Sequence, residues 1–597
     1  MRLYKFSKIM ACVLFAGIGL SSCDDFLNQP DKSTYNADDF YNDDATCYQG
    51  ANSLYNMPWY DFQRGFFKVG EVMAGNYYWY GGDDTQYWNC SVSANNSNLK
   101  DMSYSLWTVN AYANTLYDKI KSSTGVSESV RNTCMGECLT WKALAYFYLV
   151  RTFGAVPIIH NNSEVISNGT YNEQYRAKIE NVYDYIIMTL EKAIELLPEK
   201  DGTGLGRIDK YCAEGLLAKV YLTKSGYDAS TTTYETGANP YIHTVKHQRN
   251  TEDLAMAAKY AKDVIDNSGR SLEPVYSDIF RGAYFGDESL IAWHWHAGRD
   301  PWTQQNTLQS DLAMTGFDET GNTWGGYAGP SVDLMDAFGE DPTRQTRNNT
   351  DVRRKATMMM AGDSYDYFYT DCGGFDYLKF VYKGYEDHQG PGEMQSPTGA
   401  NCVKHLIGDN ADHVKYVGTS FDVMAYGNYT QLLRLADVYL IYAEAIIGND
   451  NSTTNADAID AFYKVRSRSV NTYSRPTSIS WEDVKKERRL ELSLEGDSWY
   501  DYVRWFYYDP DAAINELNNQ RRNEYYGLND LYESWYNNGG YDGGWNITDN
   551  VKYNDDPGKK QNVSVSSFTI PFPTEDATQN PHLLEAPQDV DISQFSY

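Results

Sequence analysis

The sequence predicts a mainly α fold, in which tetratricopeptide-like helical repeats carry a packed loop-rich region with a few short strands. Three observations carry this expectation. Residues 131–153, 178–197, 209–225 and 251–268 place apolar side chains three and four apart with charges between them, as packed amphipathic helices do. The stretches AEGLLAKVYL and DLAMAAKYAKDVI mix small and aromatic residues so that Ala lets one helix sit close to the next, although no clean repeat of about 34 residues emerges. Residues 270–430 break the pattern with short apolar runs among many Gly, Asp, Asn and Tyr.

Taken in order, Arg2, Lys5 and Lys8 precede an apolar run at 9–20 and then Ser21, Ser22 and Cys23. About twelve apolar residues cannot cross a bilayer core that needs roughly twenty, so residues 1–22 read as a signal peptide. The small residues before Cys23 resemble the bacterial lipobox, which makes Cys23 the expected lipidated first residue of a stably anchored protein. Gly154 should stop the helix at 131–153, and Pro198 the helix at 178–197. IAWHWHA, 291–297, reads as a strand with one buried face that takes Trp293 and Trp295 into the core. QLLRLADVYLIYAEAII, 431–447, reads as one mostly buried helix whose charges Arg434, Asp437 and Glu444 share a narrow stripe. SWEDVKKERRLELSLEG, 480–496, opens with a capping box from Ser480 to Asp483 and should close at Gly496. Glu491 and Glu495 lie on one face of it with Arg488 in reach, which reads as ion pairing along a helix and not as an acid/base pair. The expected organisation is thus a signal at 1–22, N-terminal helices at 23–269, a loop-rich insertion at 270–430, and C-terminal helices with a Pro-rich tail at 431–597. No long Pro/Gly/Ser linker separates them.

Removal of the signal takes three of the 51 basic residues and none of the 81 acidic ones, so the formal charge moves from −30 to −33. So acidic a surface repels nucleic acid and disfavours sulfated or uronate-rich glycans. Of nine cysteines, Cys12 leaves with the signal and Cys23 is modified; the remaining seven are odd in number and too sparse for a disulfide scaffold. Cys134 and Cys138, four apart on a helix, read as small buried apolar residues. The 52 tyrosines suit contact surfaces, since each pairs a flat apolar face with a polar tip at small entropic cost.

Five segments in order resemble the SusD/RagB family of Bacteroidetes surface lipoproteins: CDDFLN at 23–28, LTWKALAYFYLVRTFGAVPII at 139–159, LLRLADVYLIYAEAI at 432–446, KKERRLELSLEGDSWYDYVRW at 485–505 and IPFPTEDATQNPHL at 570–583. Ser498 and Glu585-Ala586 depart from the usual pattern, away from the binding loops. The resemblance implies a SusD-like fold at the outer-membrane surface, lipid-anchored at Cys23, with Asp24 and Asp25 as an acidic export signal. It also implies that the protein binds nutrient oligosaccharides and passes them to a SusC-like, TonB-dependent transporter. In glycan-binding members the platform comes from two loop regions, one after the first helices and one in the loop-rich middle.

Sugars present apolar faces and a rim of hydroxyls, so a site needs flat aromatic rings with Asn, Asp, Gln or Arg around them. YYWYGGDDTQYWN, 77–89, supplies Trp79, Tyr80 and Trp88 with Asp83 and Asn89, and its Gly-Gly-Asp-Asp run marks a loop. GRDPWTQQN and GNTWGGYAG supply Trp302, Trp324 and Tyr327 among Gly and Asn. These eight residues are the expected ligand contacts. No catalytic residue, metal ligand or cofactor is expected: there is no Gly-x-Ser-x-Gly elbow, HExxH or phosphate loop, and GTGLGR at 202–207 follows a helix and not a strand. His294 with His296, and His243 with His247, are pairs without a third ligand, and the acidic loops GGDDT and DNVKYNDDPG lack calcium-loop spacing, which leaves at most weak calcium binding. Alternative readings keep the transporter role with a peptide or other non-glycan cargo, or make the chain a surface glycoside hydrolase, since two suitably placed carboxylates among 81 acids would suffice.

Overall fold

A computed structural model describes residues 41–234, 245–282, 285–540 and 544–597. The expected signal peptide, Cys23 with Asp24 and Asp25, and His243 lie outside them. The principal helices are α1 (Ser97–Ser122), α2 (Glu128–Phe153), α3 (Ile179–Leu196), α4 (Lys210–Lys224), α5 (Thr251–Asn267), α6 (Leu435–Ile447), α7 (Ala456–Ser469), α8 (Trp481–Leu492) and α9 (Ser498–Tyr508). Short polar side chains start several of them by accepting from backbone N–H groups that have no partner within the helix: Asn96 from Leu99, Asp209 from Cys212, Asn250 from Glu252 and Asp253. Gly154 ends α2 at φ 72°, and α3 stops before Pro198, both as expected.

α1 was not among the helices expected from the sequence. Its buried positions Leu99, Met102, Leu106, Val109, Ala113, Leu116 and Ile120 do keep the three- and four-residue spacing, among many polar residues. Each helix from α1 to α5 packs on the next, and α5 then packs on α6 and α6 on α7. The helical array therefore runs straight across the gap in sequence, and residues 270–430 leave it after α5 and rejoin it at α6. Small residues permit the close approach: Ala257 and Ala261 of α5 are fully buried, and a Cβ on Gly215 of α4 would meet Leu290, Leu433 and Val438 at 3.1–3.4 Å.

The strands form six two-stranded antiparallel pairs among the described residues. Two matter here: β1 (Tyr77–Tyr78) with β3 (Gly329–Pro330), and β2 (Ser289–Trp293) with β4 (Thr430–Arg434). β2 is the strand expected in IAWHWHA, with Trp293 and Trp295 buried, but all five of its residues are buried, so both faces are covered. Its edge is satisfied by β4, which corrects the expectation of one continuous helix at 431–447. Thr430–Arg434 is extended and pairs with β2, and α6 begins only at Leu435.

The C-terminal helix expected at 480–496 starts at the Ser480–Asp483 capping box but stops at Leu492, short of Gly496. Gly496, at φ 81°, instead meets Gly70 so closely that a Cβ on Gly70 would stand 2.2 Å from the Gly496 carbonyl oxygen. The carboxylates at the end of the helix and just after it turn inward. Glu491 pairs with Arg353 at 2.8 Å, Arg434 at 2.6 Å and Arg468, and Glu495 pairs with Arg434 and Lys404, each at 2.8 Å. Arg488 serves neither; it reaches Asp437 at 2.7 Å and Asp501 at 2.9 Å. The pairing is thus between distant segments and not along one helix. On α6, Asp437 also takes Lys219 at 2.7 Å, and Glu444 takes Arg249 at 2.8 Å together with Arg504. Burial alone would raise the Asp437 carboxyl, but Lys219 and Arg488 outweigh it and hold it well below the usual carboxylate range. Cys134 and Cys138 are buried, as their spacing suggests.

Candidate ligand-binding site

The β1–β3 ladder pairs Tyr77 with Pro330 and Tyr78 with Gly329 in antiparallel register. The chain leaving β1 toward Trp79 and Tyr80 and the chain entering β3 from Trp324 and Tyr327 therefore emerge at the same end of the ladder. Two loops some 250 residues apart in sequence become one surface. Gly329 is required in this register, because a Cβ there would lie 2.1 Å from the carbonyl oxygen of Ala400.

Behind this surface runs the helix Phe62–Phe67, continued by a π turn at Lys68–Val72. Tyr60 in the turn just before it, Arg64 within it and Lys68 at the start of the π turn stand four residues apart, a helical step of roughly 6 Å. Each is tied to a different tryptophan. The Lys68 ammonium sits 4.7 Å from the Trp79 ring centre and is paired with Asp84 at 2.7 Å. Arg64 donates from Nε to Asp311 Oδ2 at 2.9 Å, and Asp311 Oδ1 accepts from Trp324 Nε1 at 3.0 Å. The Tyr60 ring meets that of Trp302 edge-on at 5.9 Å. Burial pushes the Tyr60 hydroxyl up to about 12, so it stays protonated and able to donate.

Trp302, Trp324, Tyr327 and Tyr80 are exposed, and Trp79 is half-buried against Phe67 and Tyr77. Trp324 keeps 42% of its surface free although its indole N–H is anchored, so the ring is held in place with a face to offer. Tyr80 lies edge-on to Trp88 at 5.2 Å with Lys559 over its own ring at 5.6 Å, and the Tyr327 hydroxyl donates to Glu393 at 3.4 Å. Asp83 and Asn89 are exposed on either side of the short helix Thr85–Trp88. Trp88 is the exception. It is 3% exposed and its Nε1 donates to the Arg522 carbonyl at 3.2 Å, so it supports the loop from beneath and offers no ring to a ligand. The Gly-Gly-Asp-Asp turn passes into a helical turn whose last side chain folds inward, which the loop reading of 77–89 did not anticipate.

Sequence reasoning missed Tyr60, Arg64, Lys68 and Asp311. The four-residue spacing in YDFQRGFFK was visible, but only the folded chain shows which aromatic each one meets. The two histidines of IAWHWHA do not act together: His294 stacks face to face on Tyr429 at 4.2 Å, with its pKa lowered to about 3 by burial, and His296 is exposed. The resulting surface offers anchored aromatic rings with hydroxyl, amide and carboxylate groups beside them. Arg64 and Lys68 are neutralised by Asp311 and Asp84 within it.

The SusD family matches residues 213–588, and the family described as "Starch-binding associating with outer membrane" matches residues 25–222. A SusD-like protein of Bacteroides ovatus is 30% identical over 599 residues, 98% of this chain and 99% of its own. A crystal structure solved with a xylogluco-oligosaccharide is 27% identical and superposes with a TM-score of 0.73 over 91% of this chain and 99% of that one. A laminarin-binding SusD-like protein, 21% identical with a TM-score of 0.55 over 79% of this chain and 93% of its own, shares the fold. A relative similar over its full length, and two family matches that between them run from residue 25 to residue 588, place the chain in the SusD family.

Proposed function

We propose that this protein is a non-catalytic cell-surface lipoprotein, anchored at Cys23, that binds neutral oligosaccharides and passes them to a SusC-like TonB-dependent transporter in the outer membrane. The observation that carries the reading is the series Tyr60, Arg64 and Lys68, each of which anchors one of Trp302, Trp324 and Trp79. Fixed rings lose little entropy on stacking against a sugar, and the Arg64 and Lys68 cations beside them are each already paired with a carboxylate. A strongly acidic body argues in the same direction against polyanionic glycans. The relative solved with a xylogluco-oligosaccharide supports a glycan as cargo, and the family description supports the outer-membrane setting.

The test is intrinsic tryptophan fluorescence of the body beginning just after Cys23, titrated with neutral oligosaccharides, acidic oligosaccharides and peptides. The expected outcome is a saturable change with a neutral glycan and no release of reducing ends. A response to peptides alone, or sugar hydrolysis that one carboxylate substitution abolishes, would replace this reading.

A further inference from the structure

Glu319, His388 and Asp409 converge from three separate segments of the loop-rich region, with one ligand atom of each within 4.8 Å of the others. Asp409 caps the helix Asn410–Val417, and its Oδ1 accepts from the Asp412 backbone N–H at 2.9 Å. Its Oδ2 is buried and accepts no hydrogen bond, in a residue only 1% exposed. His388, 3% exposed, brings Nε2 to 3.3 Å from that oxygen, an ion pair when the ring is protonated, and its Nδ1 makes no hydrogen bond. The imidazole is fixed by stacking on Tyr369 at 4.4 Å and by backbone hydrogen bonds in both directions between Tyr385 and His388. Gly316 lets this loop close down, since a Cβ there would stand 2.0 Å from the Gln389 carbonyl oxygen. Glu319 completes the group from the solvent side, where its two oxygens accept from Asn410 N–H at 3.1 and 3.2 Å and retain further lone pairs.

A buried carboxylate and a buried imidazole 3.3 Å apart are joined as an ion pair only while the ring is protonated, and with the ring neutral they are placed to share a cation instead. Their separation is close to the edge of about 3.3–3.4 Å between two ligands that each stand about 2.0–2.1 Å from a tetrahedral ion. Asp412, which caps the same helix start, is already engaged by Tyr369, Thr370 and the Asp409 backbone N–H, so it does not compete. We infer that Glu319, His388 and Asp409 form a site for a divalent transition-metal ion, zinc being the best match, with one position open to water. One imidazole and two carboxylates suit a borderline ion, whereas calcium takes six to eight oxygens that this group does not offer. The ion would join the 384–390 loop and the helix Asn410–Val417 to the turn at 318–323, which leads directly into Trp324. The inference does not depend on what the tryptophans bind.

The experiment uses the body beginning just after Cys23, stripped with chelator, titrated calorimetrically with zinc, manganese and calcium, and assayed for retained metal by elemental analysis. The expected result is about one zinc per chain, a thermal midpoint raised by zinc, and roughly tenfold or greater loss of zinc affinity in His388→Gln and Asp409→Asn. Asn preserves the helix cap, and Glu319→Gln lies at an exposed position, so these two variants keep the fold intact and should show the same loss. No stoichiometric zinc, zinc affinity unchanged in all three variants, or preferential calcium binding would each overturn the assignment.

Discussion

Trp324, Trp79 and Trp88 divide by how much of the ring solvent reaches: exposed, half-buried and buried in turn. Trp79→Ala and Trp324→Ala should leave the fold intact and weaken oligosaccharide binding by about 1–2 kcal/mol each, a factor of about 5–30 by calorimetry. Trp88→Ala should instead destabilise the protein by about 3–5 kcal/mol, because it empties a buried site and orphans the Arg522 carbonyl, and this is read from the denaturant midpoint. Asp311 holds both Arg64 and the Trp324 indole, so Asp311→Ala should release the ring and lower affinity by about 0.5–1.5 kcal/mol without removing any aromatic. Equal affinity in wild type and Asp311→Ala would show that Trp324 needs no positioning.

The helix Phe62–Phe67 with its π turn is the element that organises the site, and its own position depends on a contact of backbone with backbone. Gly70 lies against Gly496, while Glu71 beside it accepts from Leu494 N–H at 2.9 Å and Gly496 N–H at 2.7 Å. Gly70→Ala should cost about 1–3 kcal/mol of stability through overpacking and should shift Tyr60, Arg64 and Lys68 relative to Trp79 and Trp324. A chemical-denaturation midpoint equal to wild type would contradict this. The extended chain at Thr430–Arg434 is equally dependent on context. Its apolar residues suit a helix or a strand, and the open edge of β2 decides for the strand, delivering Arg434 to the centre of the charge network.

Across the whole molecule, α4, α6, α8, α9 and the loop-rich region are joined by buried ion pairs. Burial would raise the carboxyls of Asp437, Glu444, Glu491, Glu495 and Asp501, yet the Arg and Lys groups around them hold all five below their ordinary values. A depressed carboxylate contributes stability above its unfolded value of about 4 and loses it as pH falls through the folded value. Thermal midpoints should therefore hold from about pH 6 to pH 5 and fall steeply below about pH 4; a flat profile down to pH 3 would refute the sign. Arg434→Met should cost about 3–5 kcal/mol, since it leaves Glu288, Glu491 and Glu495 buried with one partner fewer, as measured by denaturation at neutral pH.

The fold class, α2 to α5, the stops at Gly154 and Pro198, the Ser480–Asp483 capping box and the membership of the SusD family were all legible in the amino-acid sequence, because helical periodicity, terminating residues and ordered motifs are local in the chain. α1 was legible in the same way, in the spacing from Leu99 to Ile120, but its many polar residues masked the stripe. The Gly-Gly-Asp-Asp turn was legible as a break through residues that no helix or strand core accepts, but the strand at Tyr77–Tyr78 and the helix Thr85–Trp88 on either side of it were not. The tertiary structure alone decided which aromatics are free, since Trp79 and Trp88 differ in exposure and not in sequence context. It alone joined the two loops through β1 and β3, matched Tyr60, Arg64 and Lys68 to three separate tryptophans, and turned Glu491 and Glu495 from presumed helix-face partners into the centre of a network. All of these are contacts between residues remote in sequence, and the spacing of residues along a chain records its local geometry without recording which distant segment closes over it.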